Sequence, residues 1–200
     1  RHCIIVGAPG IGKTTLAKEV AALLPPITVN DCGFCCIPKQ EQCPICKQAI
    51  EKKKTIPTVT LKGQERFVRI QGSSDLAIED LLGSIDPIKA LTYGPYSLEA
   101  FTPGIIFRAN YGILFFDEIN RSPEKVQNAL LQVLEEHEAS IGNYKVVLPA
   151  KFILIATMNP EDSSTERLSD VFIDRFDVIN MDYPQTVEQE LAILKTKNEV

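Results

Sequence analysis

"GAPGIGKT" (7–14) decides how the rest of this chain is read. It fits the spacing G-x-x-x-x-G-K-[ST]. A short apolar run, "HCIIV" (2–6), precedes it. "KTTLAKEVAALL" (13–24) comes next, with Leu16, Val20 and Leu23/Leu24 at helical spacing until Pro25 and Pro26 stop it. Strand, glycine-rich turn and helix are the context in which that spacing holds phosphate. The glycines let successive N–H groups face one anion, and the amino end of the helix adds its dipole. The expected cradle is Gly7, Ala8, Pro9, Gly10, Ile11, Gly12, Lys13, Thr14 and Thr15. Lys13 reaches β- and γ-phosphates, as in ATP, and the Thr14 hydroxyl ligates Mg²⁺.

Outward from this loop, "RFVRI" (66–70), "GILFF" (112–116), "KFILIAT" (151–157) and "DVINM" (177–181) read as further strands. Uniformly apolar strands separated by helices predict an α/β fold whose sheet is mostly parallel and covered on both faces. "ILFFDE" (113–118) ends one strand in two acids. Asp117 suits the Mg²⁺ shell, and Glu118 suits activation of an attacking water, which implies hydrolysis. "FILIATMNP" (152–160) delivers Asn159 to the same sheet edge, where its amide can position the water or meet the γ-phosphate; Asn-Pro also makes ordinary caps. "DVFIDRFDV" (170–178) carries Arg175, either a γ-phosphate ligand for a neighbouring subunit or a surface partner of Asp174 or Asp177.

Among the remaining elements, "SPEKVQNALLQVLEE" (122–136) predicts a helix with Ser122 as N-cap, Pro123 at its first position and an apolar face of Val126, Leu130, Val133 and Leu134. "EASIGNYKVVL" (138–148) predicts a hairpin turning at Gly142-Asn143, and Thr186/Gln189 a capping box for a last helix over 186–195.

A length of 200 residues suits one α/β domain with an insertion, and 44% hydrophobic residues suffice for a core. The net charge of −5 gives no support to a nucleic-acid footprint. No apolar run approaches the ~20 residues that span a bilayer. The chain opens without Met inside a strand pattern and closes inside a helical one, and is read as part of a longer protein.

With its four motifs in this order, the chain resembles the AAA+ ATPases, a P-loop NTPase class. More closely it resembles the branch holding the ATPase subunit of magnesium chelatase and the MoxR ATPases. "GSIDPIKALTYG…FTPGIIFRANYGILFFDE" (83–118) is similar to the chelatase subunit, "FFDEINRSPEKVQNALLQVLEE" (115–136) to MoxR, and "ATMNP…LSDVFIDRFDV" (156–178) to both. Only about 30–60 lies outside the resemblance. It implies a three-layer αβα sandwich with a helical insertion at about 73–110, a projecting hairpin at 138–148, and a helical lid beyond Val200. It also implies a homo-oligomeric ring, expected to be a hexamer, in the cytoplasm. Lys13 and Thr14 match the family's phosphate-loop pair, Asp117 and Glu118 its magnesium and catalytic acids, Asn159 its polar sensor, and Arg175 its arginine finger.

"DCGFCCIPKQEQCPICK" (31–47), inside an insertion at about 30–55, holds two CxxC pairs. Cys32, Cys35, Cys43 and Cys46 suit a tetrahedral Zn²⁺, with Cys36 as a substitute for Cys35 because spacing does not fix the register. Disulfides, a redox or iron–sulfur site, and unligated thiols remain alternatives. Cys3 reads as a small buried apolar residue.

The leading expectation is an ATP-driven ring that remodels a client protein, one with a metal-binding adhesion-type domain in the chelatase or MoxR setting. The runner-up is a nucleic-acid-translocating motor of MCM-helicase type, for which Lys145 is the one obvious basic candidate on the hairpin. A zinc-stapled binding module with a dead ATPase is the third, and Glu118 and Asn159 argue against it.

Overall fold

The computed structural model describes residues 2–40, 42–94, 97–141, 144–160 and 168–198. Strand β1 (His2–Val6) leads through the glycine-rich loop into α1 (Lys13–Ala22). A hairpin of β2 (Ile27–Asn30) and β3 (Thr58–Leu61) brackets the cysteine-rich stretch and its helix α2 (Pro44–Glu51). After β4 (Phe67–Gln71) come α3 (Ile78–Leu82), β5 (Gly83–Ile85), α4 (Pro87–Tyr93), β6 (Phe101–Pro103) and α5 (Ile105–Arg108). Next are β7 (Ile113–Asp117), α6 (Glu124–Glu136), the antiparallel pair β8 (Glu138–Ile141) and β9 (Tyr144–Pro149), and β10 (Ile153–Met158). The described chain closes with α7 (Asp170–Ile173), β11 (Phe176–Asn180) and α8 (Val187–Asn198).

The central sheet runs β11-β1-β10-β7-β4, and each of its pairings is parallel. Its inner strands, β1, β10 and β7, are largely apolar on both faces because both are covered. Ile5, Ile113, Phe115 and Ile155 pack on one side with Ala17 and Ala21 of α1. Ile4, Leu114, Phe116, Leu154 and Ala156 pack on the other with Val126, Leu130 and Val133 of α6. This alternation is the period-two signature of a strand read on two buried faces, and it makes the αβα sandwich.

Several local expectations are corrected. The face of α1 that meets the sheet is Ala17/Ala21, while Leu16, Val20 and Leu23 stay largely exposed. Small side chains four apart let the helix lie close to the strands, which a leucine stripe would prevent. Ser122 does not cap α6; Pro123 occupies the cap position and the Ser122 hydroxyl donates to Ile119 O at 2.5 Å. At α8 the Gln189 N–H reaches Thr186 Oγ1, but the reciprocal bond comes from Gln185 N rather than Thr186 N. The expected turn at Gly142-Asn143 lies outside the described residues. The pairings β2–β3 and β5–β6 have no counterpart in the sequence reading; strands of three or four residues carry too little periodicity to read.

Gly72, just past β4, shows how tightly the sheet edge is built. Its N–H donates to Asp117 O at 2.7 Å, and a Cβ there would sit 2.1 Å from Glu118 O. Gly72→Ala is expected to lower stability by about 1–3 kcal/mol in urea denaturation, the usual cost of forcing a methyl into filled space.

Candidate nucleotide-binding site

The sheet's register assembles the site. Val6 pairs with Met158, Ala156 with Phe116 and Gln71 with Asp117, so β1, β10, β7 and β4 end together. The loops leaving these strands therefore emerge on one edge, where open parallel sheets bind ligands. The resulting cavity holds about 360 Å³. One wall is Pro9, Gly10, Gly12, Lys13, Thr14 and Thr15; the facing wall is Asp117, Glu118, Thr157 and Asn159. Gly7, Ala8 and Ile11 belong to the same loop but do not line the cavity.

Within the loop, Gly10 (φ 81°) and Gly12 (φ 96°) take left-handed conformations, which glycine adopts without strain. Gly7 does not share that conformation. It supplies space, because a Cβ there would lie 2.2 Å from Met181 O. Lys13 folds over the loop, its Nζ donating to Gly7 O at 2.6 Å and Ala8 O at 2.7 Å. Burial presses the Lys13 pKa down, and the charges of Asp117 and Glu118 oppose that shift. The Thr14 hydroxyl and the Asp117 carboxylate share this cavity with an anion-receptive backbone. Hard oxygen donors beside a phosphate cradle are the donor set that Mg²⁺ takes, and so the residues fit a magnesium nucleotide.

Both acids are already engaged. Asp117 Oδ1 accepts from Thr157 Oγ1 at 2.7 Å, and Oδ2 pairs with Arg69 Nη2 at 2.5 Å. Glu118 Oε2 accepts from Gln71 Nε2 at 2.8 Å and from Arg121 Nη1 at 2.9 Å. Glu118 itself has φ 52° and ψ 52°, a left-handed conformation that costs a non-glycine residue about 1–3 kcal/mol. Its N–H donates to Thr157 Oγ1 at 2.9 Å. The Asn159 carbonyl accepts from Asn120 Nδ2 at 3.4 Å.

Sequence reasoning missed Thr157, Arg69, Gln71 and Arg121. Arg69 and Gln71 alternate with buried Val68 and Ile70 along β4, so a polar face was visible. That this face meets the acids depends on β4 lying beside β7, which the sequence does not state. Arg175 is not in the cavity. It pairs with Glu135 on α6, and its Nη1 donates to Val171 O at 2.6 Å.

A second cluster is separate from this cavity. The Sγ atoms of Cys32, Cys36, Cys43 and Cys46 all lie within 4.8 Å of one another. Of the two alternatives the sequence left open, this cluster holds Cys36 rather than Cys35. Cys35 has φ 48°, and its Sγ is directed to Arg108 O at 3.8 Å. Left-handed turns at Gly33 (φ 78°) and Cys35 rotate the next side chain, Cys36, inward. Cys32 is held far below the ordinary thiol range, first by hydrogen bonds from the Cys36 and Cys43 thiols. Those two are pushed up, chiefly because they donate to Cys32.

The sequence model of the ATPase family associated with various cellular activities (AAA) matches residues 47–178, a span that holds Asp117, Glu118, Asn159 and Arg175. The chain is 32% identical to the magnesium-chelatase subunit ChlI homolog of Methanocaldococcus jannaschii, over 98% of this chain and 52% of that protein. It is 28% identical to the magnesium-chelatase 38 kDa subunit of Acidiphilium rubrum, over 96% of this chain and 54% of that one. These alignments take in the phosphate loop as well. The chain thus spans about half the length of these relatives. In fold it is similar to a structure of the complex between subunits BchI and BchD of magnesium chelatase, with a TM-score of 0.66 and 24% identity, over 97% of this chain and 57% of that one. Among the described residues no helix is long and apolar enough to cross a membrane.

Thr157 joins both acids through one hydroxyl. Thr157→Val keeps the shape but leaves the Glu118 N–H unpaired, and is expected to cost about 1–3 kcal/mol in urea denaturation, while Thr157→Ser stays close to wild type.

Proposed function

The chain belongs to the ATPase family associated with various cellular activities, and on that premise we propose that it hydrolyses ATP as one subunit of a homo-oligomeric ring. The ring, a hexamer in this reading, remodels a client protein in a chelatase-like or MoxR-like way. The observation that carries the proposal is the single cavity shared by the phosphate loop and by Asp117, Glu118 and Asn159.

In this reading the loop amides and Lys13 hold the β- and γ-phosphates. Thr14 and Asp117 hold Mg²⁺, which when bound offsets phosphate charge. Glu118 takes a proton from a water as its oxygen forms a bond to the γ-phosphorus; the bond to the bridging oxygen breaks, and ADP leaves with that electron pair. Asn159 orients the water or the γ-phosphate. Gln71 and Arg121 hold the carboxylate through its Oε2. Arg175, outside its own cavity, is assigned to the cavity of the adjacent subunit, where an arginine stabilises transferring phosphate charge.

The chelatase relatives support a chelatase-like reading, and the client proposed is a protein that carries a metal-binding adhesion-type domain. The proposal places the protein in the cytoplasm. The net charge of −5 and the chelatase matches weigh against the MCM-helicase-like motor.

Lys13→Ala is expected to abolish ATP turnover in a phosphate-release assay. Glu118→Gln should still retain nucleotide on a filter while turnover falls about 10²–10⁴-fold, the range a general base supplies; unchanged turnover would remove Glu118 from the role. Arg175→Ala should lose about 10³–10⁵ in turnover. Mixed with Glu118→Gln subunits it should recover part of that activity, and no recovery at any mixing ratio contradicts a site shared between subunits.

A further inference from the structure

The geometry points to a structural Zn²⁺ site formed by Cys32, Cys36, Cys43 and Cys46, which pins the insertion between β2 and β3 onto the chain that feeds β7. It stands apart from the nucleotide reading, since no residue of the cavity at the sheet edge takes part.

The four sulfurs converge. They come from a fifteen-residue stretch and lie within 4.8 Å of one another, and Cys36, Cys43 and Cys46 are almost wholly buried. A tetrahedron with Zn–S arms of about 2.3 Å has edges of about 3.8 Å. Closing the four thiolates on one ion therefore needs only small inward movements.

Donors also surround the sulfurs. Cys46 N donates to Cys43 Sγ at 3.5 Å and Cys43 N to Cys36 Sγ at 3.3 Å. The Asn30 amide donates to Cys46 Sγ at 3.4 Å. N–H donors aimed at sulfur stabilise thiolate, and Cys36, Cys43 and Cys46 each accept from one. The amino end of α2, where Cys43 is the N-cap and Pro44 is the first helical residue, supplies both backbone donors. The Asn30 amide is itself fixed, since Nδ2 also donates to Gln42 Oε1 at 2.8 Å. Gln42 Nε2 in turn donates to Ile37 O and Gln40 O. Such an outer layer orients ligands around an ion, and buried thiols packed only as apolar filler have no use for it.

The donors also select the ion. Thiolate alone favours a soft or borderline cation over Mg²⁺ or Ca²⁺, and a closed tetrahedral S₄ set suits Zn²⁺ and leaves no position for water. An inorganic iron–sulfur core would hold the four thiolates farther apart than they stand here. The loop carrying two of the ligands is part of the core. Phe34 is buried with its ring centroid 5.1 Å from that of Phe107 and 6.3 Å from that of Phe101. Its carbonyl accepts from Asn110 Nδ2 at 2.9 Å, and Asn110 Oδ1 accepts from Lys151 N at 2.9 Å. Asn110 lies just before the β7 segment that ends in Asp117, so the ion would hold the insertion against the strand bearing the site acids.

The test is elemental analysis of the full-length protein after gel filtration. It should contain about one zinc per chain, with no iron and no visible absorption. Cys36→Ser should lose most of the metal, whereas Cys35→Ser should keep it. Because Cys36→Ser can fail to fold, wild-type protein exchanged with Co²⁺ provides a second readout and should show the intense thiolate-to-cobalt absorption of a tetrahedral S₄ site. Folded protein free of zinc, stoichiometric iron, or equal metal loss in Cys35→Ser and Cys36→Ser each overturns the assignment.

Discussion

Everything at the candidate site depends on parallel pairing of β1, β10 and β7 in one register. Parallel strands must all release their chains at the same edge, and here that edge receives a glycine-rich loop from β1, two acids from β7 and an asparagine from β10. The register is enforced by burial on both faces. A slip of one residue would exchange Ile4, Leu114 and Leu154 with Ile5, Ile113 and Ile155, and each set meets a differently shaped helix. The alanine face of α1 brings that helix close to the sheet, and its first residue is Lys13. Packing thus sets where the phosphate-binding lysine begins.

The charges at the edge compensate one another in this structure. Lys13 lies on its own loop's carbonyls, Arg69 on Asp117, and Gln71 with Arg121 on Glu118. Exposed pairs of this kind are worth about 0–1 kcal/mol each. A magnesium triphosphate brings several charges into a cavity lined by fixed amides and so exchanges these weak contacts at little cost. The strained backbone of Glu118 is held differently. Thr157 binds its N–H, and the Gly72 backbone lies close beside its carbonyl, where a side chain would not fit. The scaffold places the acid rigidly, and the polar neighbours occupy it until a ligand arrives.

The large features were legible in the sequence because they are local. Strands from "HCIIV", "GILFF" and "KFILIAT", the phosphate loop, Asp117-Glu118 and Asn159 are each stated by a contiguous run, and the structure brings them to one cavity. Features that depend on neighbours in space escaped. Thr157 sits inside an apolar run and its hydroxyl matters only beside Asp117. Arg69 and Gln71 matter only because β4 pairs with β7, and Arg175 meets Glu135 from another helix. Cys35 and Cys36 are adjacent and chemically identical, and one positive φ decides between them. The α1 stripe misled for a related reason: a helix face is chosen by the closeness of its partner, and alanine spacing carries that message more quietly than leucine spacing.

The central claim is that residues 7–14 and Asp117 hold a magnesium nucleotide together. Isothermal titration of ATP into the full-length protein, with and without Mg²⁺, tests it most directly. One saturable site per subunit that weakens strongly when EDTA removes the metal is the result the account predicts. No heat of association with Mg²⁺ present, or binding indifferent to the metal, would contradict it.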